Sequence, residues 1–191
     1  MPAVLARIVP PAFAGREFQI TDYGAVADGS SDGTEAIRKA VDACSAAKGG
    51  RVLVPPGVFL TGPIHLKSNV NLHLLEGATL KFVPEPAKYM PVKERIYGMG
   101  QYLRPNFIQP YRCRNVFIEG ITIKNSPMWE IHPVLCTNVI VRGVTMKDGR
   151  GGVVMGSEIS GIAVTFLSRT AAWTARIWIA PCASSIAPSA G

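Results

Sequence analysis

The sequence predicts an all-β fold: a right-handed single-stranded parallel β-helix, an incomplete solenoid with an N-terminal capping α-helix. Three observations carry this expectation: an internal repeat, short apolar runs separated by turn residues, and one amphipathic helical segment ahead of them. The repeat aligns Cys113–Lys124 (CRNVFIEGITIK) with Cys136–Lys147 (CTNVIVRGVTMK) at Cys, Asn, Val, Gly, Thr and Lys, a period of 23 residues. EGATLK, at Glu76–Lys81, is an earlier and weaker copy. A period in the twenties made of short β-runs signals one coil per repeat, with like residues stacked above like.

Within the repeat, Val116, Ile118, Ile121 and Ile123 recur as Val139, Val141, Val144 and Met146, which is the expected inward face. Cys113 should lie one strand spacing, about 4.8 Å, from Cys136, as inward packing rather than as a bridge. Asn115 over Asn138 should form a turn ladder, because Asn tolerates a left-handed backbone and bonds its neighbour's amide.

Earlier in the chain, FQITDYGAVADGSSDGTEAI reads as a short strand followed by a Gly/Asp/Ser loop in which Asp28 and Asp32 are ordinary turn residues. In TEAIRKAVDACSAA, residues Ala36, Ile37, Ala40, Val41 and Cys44 share one helical face, and Gly49-Gly50 ends the helix. Such a helix needs an apolar surface, and the open end of a solenoid, with its unpaired strands, supplies one. RVLVPPGVFLTGPIHLKSNVNLHLLEGATLKF is then strand and turn, rich in Val, Leu and Phe and punctuated by Pro-Pro-Gly, Gly-Pro and Glu-Gly.

Composition agrees with a single turn-rich globular domain: 191 residues, 48% hydrophobic, 17% charged, 19 Gly and 15 Pro. No apolar run reaches the roughly 18 residues of a membrane span, so no membrane partner is expected. A net charge of +7 favours polyanions, but the basic residues are scattered and match no nucleic-acid motif, which disfavours nucleic acid. The four cysteines contain no C-x-x-C pair, so neither a zinc site nor a dense disulfide framework is expected. Residues 1–17 read as a leader: Ala12-Phe13-Ala14 looks like a cleavage site, but Arg7 and Pro10-Pro11 interrupt the apolar stretch, as in a damaged signal peptide.

Four stretches, ITDYGAVADGSSDGTEAIRKAVDAC, GGRVLVPPGVFLTGPIHLKSNVNLHLLEGATL, RPNFIQPYRCRNVFIEGITIKNSPMWEIHPVLCTNVIVRGVTM and KDGRGGVVMGSEISG, together resemble the polygalacturonase-type glycoside hydrolases (glycoside hydrolase family 28, pectin-lyase-like fold). They span most of residues 18–161, the expected β-helix domain, and the third is the most specific. The resemblance implies inverting hydrolysis of α-1,4 bonds in galacturonan, with carboxyl groups roughly 6.5–9.5 Å apart around a water. It implies no cofactor or metal, an acidic polysaccharide partner (galacturonan, pectin), a monomer, and a secreted or periplasmic location.

Departures from the family pattern shape the functional expectation. The family draws its catalytic aspartates from an Asn-Thr-Asp-type motif and an Asp-Asp pair on successive coils, followed by Gly-His-Gly and Arg-Ile-Lys. Here the chain passes directly from VRGVTM to KDGRGG, so the aspartate-bearing coils are skipped and Arg150 stands at the histidine position. Asp148 matches the residue before Gly-His-Gly, not a catalytic one, and a second gap is expected near Arg95-Ile96-Tyr97. Residues 162–191 have no solenoid period and end in Ala/Ser/Pro. Trp is encoded only by TGG, so codons begun one base from the end of Trp173 and Trp178 read GAC and GAT, Asp both times. The re-read text resembles the family's sequence before Arg-Ile-Lys, which makes 162–191 an expected out-of-frame tail.

The expected catalytic set is therefore empty, and hydrolysis should be absent. Candidate substrate-binding residues are Arg150, suited to a bidentate carboxylate contact, Glu158 for a sugar hydroxyl, His132, and Trp129 as a stacking ring. Arg150, His132 and Trp129 each have a plainer reading: a solvated turn arginine, a structural histidine beside Pro133, a packed corner aromatic. Two other classes of function stay open, a non-catalytic pectin-binding remnant and a structural β-helix such as a tailspike segment.

Overall fold

The structure is a computed structural model, and it describes residues 11–89, 105–154, 164–166 and 175–180. The first block of coils comprises β1 (Glu17–Gln19), a 3-10 turn (Ile20–Tyr23), β2 (Asp28–Asp32), α1 (Thr34–Ala46), β3 (Gly50–Val54), β4 (Gly57–Thr61), β5 (Val70–Leu74) and β6 (Ala78–Phe82). The second comprises β7 (Arg114–Glu119), β8 (Thr122–Lys124), β9 (Trp129–Ile131), β10 (Thr137–Arg142), β11 (Thr145–Lys147) and β12 (Arg150–Val153). Two further strands follow, β13 (Val164–Phe166) and β14 (Ala175–Ala180).

Strands of successive coils pair in parallel: β1-β3-β5 on one face and β2-β4-β6 on another, then β7-β10-β13, β8-β11 and β9-β12. This is the parallel β-helix that the repeat implies. Alternation puts Val52, Val54, Phe59, Val70 and Leu72 into one buried cluster with the α1 face Ala36, Ile37, Ala40, Val41 and Cys44. A second cluster contains Cys113, Val116, Ile118, Ile121, Ile123, Ile131, Cys136, Val139 and Val141. The apolar helical face read from the sequence is the face that closes the first core.

α1 is tied to the coils at both ends. Asp32 Oδ1 accepts the Thr34 N–H at 3.0 Å, and the Thr34 hydroxyl accepts the Gly62 N–H at 2.6 Å. Beyond the helix, Gly49 has φ 108°, and a Cβ there would collide with the Asn69 backbone, so glycine is required.

The second block is repetitive in conformation as well as in sequence. Left-handed residues occur in pairs one period apart: Arg112 and Leu135, Asn115 and Asn138, Gly120 and Gly143, Asn125 and Asp148. Asn138 Nδ2 donates to Asn115 Oδ1 at 2.7 Å, the anticipated ladder. Cys113 and Cys136 are stacked and buried, and Cys136 is a free thiol, so the two are not bridged to each other.

One expectation is corrected. Asp28–Asp32 is a strand rather than a loop; it pairs with β4 through an irregular register while Asp28 still accepts the Ser30 and Ser31 amides at 2.8 and 2.7 Å. Turn chemistry and strand pairing coexist there because the bulge exposes those amides. Two strands fall within residues 162–191: β13 pairs in parallel with β10, and β14 runs antiparallel to β5 and β7. The gap expected near Arg95-Ile96-Tyr97 lies outside the described residues, but β5 and β7 on either side of it are not paired with each other.

Candidate functional site

The 23-residue register holds through β11, where Thr145, Met146 and Lys147 stand beside Thr122, Ile123 and Lys124. It then changes. β12 pairs with β9 as Arg150 with Trp129 and Val153 with Ile131, so three steps on β12 match two on β9. The extra residue is a β-bulge between Arg150 and Val153, just past the point where the sequence passes from VRGVTM to KDGRGG.

A bulge leaves a backbone amide off the ladder, and a buried amide requires an acceptor. Glu130 supplies it. Its side chain is 3% exposed, and Oε2 accepts the Gly152 N–H at 2.5 Å. The backbone of Gly149 lies against the same carboxylate so closely that a Cβ would overlap it. Glycine at 149 thus answers a specific need: the bend closes over a carboxylate. Sequence reasoning did not single out Glu130, although a charged residue inside MWEIHPV carries the signal, since glutamate is rarely buried without a partner.

Around this bend, Trp129 is half-buried and meets the His132 ring edge-on, centroids 4.6 Å apart. His132 is 1% exposed. The Asn106 amide nitrogen lies 3.0 Å from its Nδ1, and its backbone N–H donates to Ile108 O at 2.9 Å. Both ties join His132 to the preceding coil, so the ring serves the interior rather than an open groove. Arg150 begins β12 opposite Trp129. Glu158 lies outside the described residues.

Next to the bend, Lys124 and Lys147 are stacked in register and exposed, and neither has a carboxylate partner among the described residues. Stacked like charges on neighbouring strands disfavour each other and attract an anion. Of the three acids between residues 105 and 154, Glu119 is paired with Arg142 at 2.5 Å, Glu130 holds the bulge, and Asp148 is exposed in the left-handed corner. Among the described residues no group of three or more His, Cys, Asp or Glu converges as a metal site would, and no helix is long and apolar enough to cross a membrane.

Coil stacking, corner ladders and a helix over the first core define a parallel β-helix of the pectate-lyase-like class. Comparison with known proteins agrees. The family model described as "Rhamnogalacturonase A/epimerase, pectate lyase-like" matches residues 18–121. An exo-poly-α-D-galacturonosidase of Dickeya chrysanthemi is 48% identical over 86 residues, 45% of this chain and 14% of that protein. The crystal structure of a hyperthermoactive exopolygalacturonase from Thermotoga maritima superposes with a TM-score of 0.69 at 33% identity, over 78% of this chain and 50% of that one. A family 28 exopolygalacturonase from Yersinia enterocolitica shares the fold, with a TM-score of 0.57 at 18% identity, over 71% of this chain and 39% of that one. The chain belongs to the rhamnogalacturonase A/epimerase, pectate lyase-like family, and its fold is that of the polygalacturonase-type glycoside hydrolases. It spans half or less of the length of these relatives.

Proposed function

We propose that this chain binds acidic polysaccharide of the galacturonan type without cleaving it: a polygalacturonase-type solenoid that lacks its aspartate-bearing coils. The supporting observation is the change of register after Lys147, which brings the Gly-Arg-Gly bend onto β9 and leaves a lysine ladder beside it. Inverting hydrolysis requires an acid and a base flanking a water. Among the described residues of 105–154, Glu130 is committed to the bulge amide and Glu119 to Arg142, which leaves Asp148 there without a second carboxylate of that kind. Lys124, Lys147 and Arg150 supply cationic groups for uronate carboxylates, and the overall charge of +7 draws the polymer in.

Calorimetric titration with an oligogalacturonate tests this. Binding should weaken with added salt and fall about fivefold in the Lys124→Ala/Lys147→Ala double variant, as expected for two exposed charge contacts. Arg150→Ala should weaken it further, and a reducing-end assay on polygalacturonate should read zero. Turnover by the purified chain, abolished by Glu158→Gln, would overturn the non-catalytic reading.

A further inference from the structure

The sheet that carries the coils contains one strand foreign to the repeat. β14 lies between β5 and β7, antiparallel to both, pairing with five residues of β5 and four of β7. Without it each of those strands is paired on one side only, β5 with β3 and β7 with β10. Among the described residues no other strand pair joins the two blocks, and their cores are separate clusters. Apart from strand pairing they touch where the Phe82 and Phe107 rings meet edge-on at 5.1 Å and where Phe13, ahead of β1, packs against Phe117 and Ile140.

The segment's sequence fits the slot in an unbroken register on β5 and, on β7, with one irregularity between Trp178 and Ala180. In an antiparallel pair, directly opposite residues belong to one face. Ala175, Ile177 and Ile179 stand opposite Leu74, Leu72 and Val70, which pack in the first core, and Ile177 also stands opposite Ile118 of the second. Arg176 takes the alternate position, opposite Glu119, and Trp178 stands opposite Asn71 and Phe117. ARIWIA therefore presents apolar positions at the level of apolar ones on both neighbours and a cation at the level of an acid.

We infer that the β5–β7 seam is a strand-acceptor site, that the chain's own Ala175–Ala180 is its resident ligand, and that docking of this segment joins the two blocks into one cooperative solenoid. The tail takes the place of a missing coil, running the opposite way.

Hydrogen exchange on the full-length chain tests this. In the unaltered protein, amides of 175–180 should exchange as slowly as those of β5 and β7. Ile177→Pro removes a ladder donor, so exchange in Val70–Leu74 and Arg114–Glu119 should accelerate at least about tenfold while β3 and β10 keep their protection. Ala183→Pro, beyond the strand, should change nothing. A synthetic peptide spanning 173–181 should restore protection to the Ile177→Pro chain at one peptide per chain. Random-coil exchange at 175–180 in the unaltered protein overturns the proposal, as does unchanged β5 and β7 exchange in Ile177→Pro. Dimers of that variant that protect the seam without peptide would show a second copy to be the preferred ligand, and would equally overturn it.

Discussion

The two blocks of coils reach one architecture by different means. In the first, coil lengths vary: β1 pairs with β3 at Glu17–Arg51, β3 with β5 at Gly50–Val70, and β4 with β6 at Gly57–Ala78. A helix closes that core, and Phe59, 0% exposed, is its largest fully buried side chain. In the second, every pairing up to Lys147 keeps one spacing, the corners repeat in backbone conformation, and the core is built from stacked Val, Ile and Cys. Irregular coils depend on shape complementarity to a single large element; regular coils depend on each rung matching the next.

That contrast is open to direct attack. The largest effect should come from Phe59→Ala, which opens a cavity in the helix-capped core and should cost about 3–5 kcal/mol in urea unfolding. In the Ile177→Pro background, exchange protection of β10 should persist after that of β3 is lost; simultaneous loss there would show that the blocks are coupled by more than β14. In the second block the sensitive point is the irregular one. Glu130→Gln keeps the shape but replaces a charged acceptor, and should cost about 1–3 kcal/mol in thermal unfolding, with faster exchange of the Gly152 amide. Equal cost for Glu119→Gln, whose partner Arg142 is 41% exposed, would sink the idea that the bend depends on its buried carboxylate.

The smallest effect concerns the helix entrance. Hydrogen bonds from Thr34, then from Lys88, hold the Asp32 carboxyl down to about 2, below its ordinary 3.8. A depressed folded value means a stabilising contribution present above about pH 4 and lost as pH falls toward 2. Asp32→Asn should therefore flatten the acid limb of a stability profile between those limits. Because the pair is solvent-exposed, it should lower the melting temperature at neutral pH by only roughly 1–2 °C.

How much of this was legible in the sequence follows the same divide. The repeat made the second block readable down to the Asn115–Asn138 ladder, since stacking converts sequence identity into spatial adjacency. The helix face was readable because 3.6-residue periodicity is local. β2 was hidden because Asp, Gly and Ser pair there through an irregular register that no alternation announces. β14 was hidden because its partners are more than fifty residues away in sequence and it follows no period. At the candidate site, the text marked Arg150, but not that Glu130 lies against Gly149 and Gly152. That contact arises only because the register slips after Lys147.

The paired left-handed corners carry a consequence for how such chains change length. A rung whose bends are encoded within its own 23 residues behaves as a removable unit, so whole rungs can be gained or lost while flanking pleats stay in phase. Insertions and deletions that respect this step leave a straight stack, whereas those that miss it must be absorbed locally as a kink, as between Lys147 and Val153.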